Sequence, residues 1–120
     1  MPKILAVVED LFFTVKINES AKRAGMPIEF VKSEADALAR AESKPALIII
    51  DLGCTGFDPV KLITALKANE STKAINSIGY LSHLQVDLKQ QAQAAGCDMV
   101  MARSAFSQNL PQILKRYSGQ

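Results

Sequence analysis

The sequence predicts an α/β domain in which five strands alternate with five helices and a parallel sheet is covered on both faces. Three observations carry this. Ala46-Leu47-Ile48-Ile49-Ile50-Asp51 is apolar at every residue before it ends in a carboxylate, which suits a strand buried on both sides. A buried helix segment could carry the same run, but it is short for a helix, rich in Ile, and bracketed by Pro45 and Gly53. A second all-apolar run, Ile4 to Val8, ends in Glu9-Asp10, and stretches of helical spacing separate the strand-like runs. Such alternation implies right-handed crossovers and helices on both faces of an open, doubly wound sheet. At 120 residues, the chain is expected to form one domain spanning residues 1–120.

Each element has a local reason. After the first strand, Phe13, Ile17, Ala21 and Ala24 recur at helical spacing from about Phe12 to Ala24, and Gly25 suits a C-terminal cap. Pro27 to Val31 reads as a short second strand. Ser33-Glu34-Ala35-Asp36 resembles a capping box that opens an Ala-rich helix to about Ser43. The third strand is the Ala46–Asp51 run. Asp58 is placed to cap a helix whose first residue is Pro59, where a missing N–H does no harm, with Val60, Leu62, Ile63 and Leu66 as its inner stripe to about Asn69. Ser77 to Leu81 forms the fourth strand, and Asp87 to Ala95 a Gln-rich helix stopped by Gly96. Met99 to Ala102 forms the fifth strand. The last helix is expected to start near Ser107, with Leu110, Ile113 and Leu114 facing inward and Pro111 in or near its first turn.

Composition excludes several classes. A formal charge of +2 with scattered Lys and Arg offers no basic stripe for a nucleic acid, and Lys115-Arg116 suits a solvated helix end. Cys54 and Cys97 stand far apart with no CxxC and no His cluster, as expected of reduced thiols in a cytoplasmic protein. Met1-Pro2-Lys3 leads straight into the first strand, leaving no room for a signal peptide, and no apolar stretch approaches the roughly 20 residues that span a bilayer. A soluble, cytosolic chain without membrane contact is expected.

Function is sought at the carboxyl ends of the strands, where open sheets bind their ligands. The first polar residues there are Glu9 and Asp10 after strand one, Asp51 after strand three, Ser82 after strand four and Arg103 after strand five. Lys32-Ser33, after strand two, reads only as the approach to a capped helix. Three converging acids repel one another and need either a raised pKa or a cation. Oxygen-only ligands suit Mg²⁺, and nothing supplies the nitrogen or sulfur that zinc favours. With a metal, Asp51 could act as a nucleophile toward an anionic phosphoryl group. Ser82 could then donate to one phosphoryl oxygen and Arg103 neutralise another. Each residue also has a plainer reading. Asp51 could be a turn former, Asp10 a cap on the first helix, Ser82 a loop hydroxyl, and Arg103 a permanent ion-pair partner of Asp51. His83 reads as a solvated rim residue, Cys54 as a loop thiol whose lack of a resolving neighbour makes a redox role weakly supported, and only one of Phe12 and Phe13 can face the core.

Over nearly its full length the chain resembles the receiver domain of bacterial response regulators, the CheY-like fold. The resemblance rests on Val7-Val8-Glu9-Asp10, Ile48-Ile49-Ile50-Asp51, Leu81-Ser82, and Gly96-Cys97-Asp98 followed by Met101-Ala102-Arg103. It implies a five-stranded parallel sheet of order 2-1-3-4-5. It also implies that Asp51 is phosphorylated by a histidine kinase or phosphotransfer protein and that Glu9 and Asp10 bind Mg²⁺ with the Gly53 carbonyl. Ser82 would be the switch hydroxyl. The activity implied is that of a phosphoacceptor module with at most self-catalysed phosphoryl transfer. With no effector segment after Gln120, output is expected through a protein contact on the fourth helix, fifth strand and fifth helix, the face through which some family members also form homodimers.

The departures are specific. Arg103 stands where the family has Lys, and Ser104 where a Pro usually follows, with an extra residue before Phe106. Val100 replaces the strand-five aromatic, Thr55 the Pro of the loop after the phosphoacceptor, and Pro59 the Gly after Asp58. Arg and Lys are not interchangeable at a site that needs one geometry. These departures support an alternative, a pseudo-receiver that signals without phosphorylation. Flavodoxin-like cofactor binding fits poorly, because Glu9-Asp10 would repel a phosphate where a glycine-rich loop is needed.

Overall fold

A computed structural model of the chain describes residues 3–82 and 85–117. The elements follow as β1 (Ile4–Val7), α1 (Leu11–Ala24), β2 (Ile28–Val31), α2 (Glu34–Ala41), β3 (Leu47–Asp51), α3 (Pro59–Ala68), β4 (Asn76–Leu81), α4 (Val86–Ala95), β5 (Met99–Ala102) and α5 (Arg103–Tyr117). The strands lie in the order β2-β1-β3-β4-β5, every pair parallel, which is the doubly wound arrangement expected. Strand order reverses between β1 and β3, so the crevice for a ligand opens at their carboxyl ends.

Side chains alternate between two cores. Leu5, Val7, Ile48 and Ile50 pack with Ala37 and Ala41 of α2, Leu62, Ile63 and Leu66 of α3, and Ala92 of α4. Ile4, Ala6, Leu47, Ile49, Ile78 and Tyr80 pack with Phe13, Ile17 and Ala21 of α1 and with Phe106, Leu110 and Leu114 of α5. Val60, expected in the inner stripe of α3, is only half-buried.

The helix ends follow the local chemistry. Ser33 Oγ accepts from Asp36 N–H at 3.1 Å, and Asp58 Oδ1 accepts from Val60 and Lys61 N–H ahead of α3, with Pro59 in its first turn. Gly25 and Gly96 end α1 and α4 in the left-handed conformation. One expectation fails. The last helix begins at Arg103, not near Ser107, so Pro111 lies inside it and not in its first turn. Phe106 is completely buried and continues the Leu110–Leu114 stripe one turn earlier, and that packing extends the helix toward its N-terminus. Pro111 sits on the exposed side, where its missing N–H leaves the inward stripe uninterrupted. Among the described residues no helix is long and apolar enough to cross a membrane.

Candidate functional site

Asp51 ends β3 and is the one charged side chain among the described residues that is buried, at 5% exposure. Its Oδ1 accepts the Gly53 N–H at 3.0 Å. Burial pushes its carboxyl above the ordinary range, and the negative charge of Asp10 adds to this. The Gly53 hydrogen bond and the positive charge of Arg103 pull the other way without cancelling it. Asp51 and Asp10 therefore lie within reach of each other's charge, as their strand ends predicted.

Asp10 is half-buried and caps α1, its Oδ1 accepting the Phe12 N–H at 2.8 Å. It also lines a cleft of about 520 Å³ with Phe13, Ser82, Arg103 and Ser107, so the cap and the site share one residue. Ser82 follows β4 and is half-buried, with its N–H donating to Gln85 Oε1 at 3.3 Å. His83 lies outside the described residues.

Glu9 behaves differently from its neighbour. Its Oε1 accepts from both the N–H and the hydroxyl of Thr55, each at 3.3 Å, and its Oε2 accepts the Gly56 N–H at 3.0 Å. The carboxylate is thus turned onto the loop between β3 and α3. A Cβ on Gly56 would lie 2.8 Å from Glu9 Oε2, so the approach needs glycine there. Thr55 stands where a Pro would have neither an N–H nor a hydroxyl to offer, which gives that departure a physical consequence.

Among the described residues no three His, Cys, Asp or Glu side chains form a metal-holding group. What converges is a pair, Asp10 and Asp51, both hard oxygen donors that repel each other. Magnesium is commonly held by one or two carboxylates while keeping several waters, so this donor chemistry fits it.

Arg103 opens α5 at the cleft, exposed, with its guanidinium carbon 5.6 Å from the centroid of the Phe13 ring. Ion pairs among the described residues are Lys3–Glu29, Arg40–Glu29, Lys67–Asp98 and Lys73–Glu70, and none joins Arg103 to Asp51. Arg103 acts on Asp51 through space, without closing onto it.

Tyr80 escaped the sequence reading. It pairs with Asp51 in register and shares its face of the sheet, and its ring stacks on Phe13 and on Phe106, 4.8 Å from each, in a cluster where Phe13 and Phe106 lie 6.3 Å apart. Its hydroxyl is buried with no hydrogen-bond partner. Burial and the charges of Asp51 and Asp10 push it up from its ordinary value, so it stays protonated. Phe13 is 3% exposed and Phe12 68%, so one of the two faces the core as expected. Cys54 is half-buried, and burial with nearby Asp51 and Glu9 pushes its thiol up to about 11. A thiol raised in this way carries little of the thiolate on which oxidation depends.

No family model matches the sequence, and no curated protein does. Solved structures match over nearly the whole chain. A response regulator from Hahella chejuensis is 21% identical, with a TM-score of 0.85 over 98% of this chain and 95% of its own. The receiver domain of a sensor histidine kinase from Pseudomonas aeruginosa, with a magnesium ion coordinated in its active-site cleft, is 19% identical, with a TM-score of 0.83 over 99% and 98%. The phosphorylated cyanobacterial phytochrome response regulator RcpA is 21% identical, with a TM-score of 0.74 over 97% and 91%. At these identities the shared property is architecture, and the chain has the CheY-like fold of response-regulator receiver domains.

Proposed function

We propose that this chain is a receiver domain of two-component signalling, accepting a phosphoryl group on Asp51 from a histidine kinase or phosphotransfer protein. The carrying observation is a buried strand-end carboxylate that feels the charges of Asp10 and Arg103, two residues that line a cleft with Ser82. In the transfer, an Asp51 carboxylate oxygen attacks phosphorus. The bond from phosphorus to the donor nitrogen breaks, and its electron pair leaves with the imidazole. An aspartyl phosphate results, and water can later hydrolyse it to the Asp51 carboxylate and inorganic phosphate. The Gly53 N–H and Arg103 favour the ionised nucleophile, Arg103 also stabilises charge on the phosphoryl oxygens, and the Ser82 hydroxyl donates to one of them.

Asp10, Asp51 and the Gly53 carbonyl would hold Mg²⁺. When bound, the metal supplies positive charge that offsets the two carboxylates and the incoming anion. Glu9 would join only by releasing Thr55 and Gly56. The magnesium and the phosphorylation described for structural neighbours support this reading. Output would pass to a downstream protein, or to a second copy, through α4, β5 and α5. Exposed Val86 and Met99 lie on that face. A cytoplasmic location goes with the role. The engagement of Glu9 favours a second reading, a pseudo-receiver whose loop is held closed without phosphorylation.

Titration with Mg²⁺ and beryllofluoride, a phosphoryl mimic, followed by amide NMR separates the two. Saturable shifts at Asp10, Asp51, Gly53 and Arg103 are expected. No response at millimolar ligand would leave the pseudo-receiver.

A further inference from the structure

We infer that Phe13 is a positioning residue for Arg103, its ring face holding the guanidinium at the mouth of the cleft and off the Asp51 carboxylate. The inference deepens the phosphoacceptor reading and rests on it for the ligand, though not for the geometry. Arg103 is an exposed side chain on the first turn of α5, and such a chain left to itself samples many rotamers or closes onto the nearest acid. Here its guanidinium carbon lies 5.6 Å from the Phe13 ring centroid, and no ion pair joins it to Asp51. The ring beneath it is a fixed platform. Phe13 is buried and stacks on Tyr80 at 26°, and Tyr80 stacks on Phe106 at 10°. Phe13 and Phe106 lie 6.3 Å apart, so the three rings form one cluster between the cleft and the α1–α5 core, with Arg103 over its outer member.

A ring at this position suits arginine better than lysine. A guanidinium is planar and weakly hydrated, so its face can lie on a ring while its N–H fork, in the plane, stays available to an oxyanion. An ammonium is a compact, strongly hydrated charge without that division of labour. Ordering the side chain before the ligand arrives also removes part of the entropy cost of binding.

The first test is proton NMR of the free protein. The Arg103 δ-methylene and ε N–H signals are expected upfield of their ordinary positions through the Phe13 ring current, and Phe13→Leu returns them. Unshifted Arg103 signals in the wild type overturn the inference. The second test is beryllofluoride affinity in the presence of Mg²⁺. Phe13→Leu and Arg103→Lys are each expected to weaken it about threefold, and the double variant no more than Arg103→Lys alone. Unchanged affinity in Phe13→Leu, or additive losses, overturn the inference. If Phe13→Leu does not fold, the ring-current shift of Arg103 in the wild type decides the matter, unshifted signals being the contrary result. A wild type that binds no beryllofluoride defeats the phosphoacceptor reading, and the ring-current result then still decides the stacking.

Discussion

The face of the sheet under α2, α3 and α4 is packed with Ile, Leu, Val and Ala, whereas the face under α1 and α5 carries three stacked rings and the buried carboxylate of Asp51. Both faces exclude water, but they use different physics. Aliphatic packing is nondirectional and gives stability alone. A cluster of rings fixes planes and edges, so it can place a guanidinium and set the surroundings of an acid. The difference suggests that one face holds the fold and the other holds the fold and the site together.

The largest expected effects set the two faces against each other. Leu62→Ala, on the aliphatic side, and Phe106→Ala, on the aromatic side, are each expected to cost about 3 kcal/mol in denaturant unfolding. Only Phe106→Ala should also move the NMR signals of Asp10 and Arg103. Equal disturbance of the site by both would erase the distinction.

A smaller effect, with a pH signature, is expected at Asp51. Burial holds its carboxyl above the ordinary value of 3.8, so the folded chain binds this proton more tightly than the unfolded chain does. The resulting stability is fully present below the ordinary value and is lost as pH rises through the raised one. In metal-free buffer, Asp51→Asn should therefore be more stable than wild type at neutral pH, with the gap closing as pH falls toward 3.8. A gap that widens on acidification would contradict the assignment.

Tyr80→Phe removes a buried hydroxyl without a partner while keeping the ring in the stack. A gain of about 1 kcal/mol in unfolding free energy is expected, against the usual loss on mutating a core residue. A loss would mean that the hydroxyl is satisfied in solution. The smallest effect belongs to the loop. Gly56→Ala should displace the Glu9 carboxylate at a cost of about 0.5–1 kcal/mol, with faster amide exchange at Thr55 and Gly56. Unchanged protection would show that Glu9 does not hold the loop.

Much of this molecule was legible because a parallel sheet brings its strand ends to one edge. Knowing that Ile50, Leu81 and Ala102 end apolar runs is enough to bring Asp51, Ser82 and Arg103 together with Asp10. What the sequence does not display is which partner each oxygen chooses. Glu9 and Asp10 look alike on paper, yet Glu9 binds a loop 46 residues away while Asp10 caps its own helix. Phe13, Tyr80 and Phe106 each read as ordinary core, since nothing in the spacing says that rings so far apart will stack. The early start of α5 follows from the burial of Phe106, tertiary packing that the local pattern does not contain.

The most direct test of the account is the intact mass of the protein after incubation with a small-molecule phosphodonor such as acetyl phosphate, with and without Mg²⁺. The account predicts a single, hydrolysable phosphoryl adduct that requires Mg²⁺ and is absent from Asp51→Asn. No adduct on the wild type, or one that persists in Asp51→Asn, would contradict it.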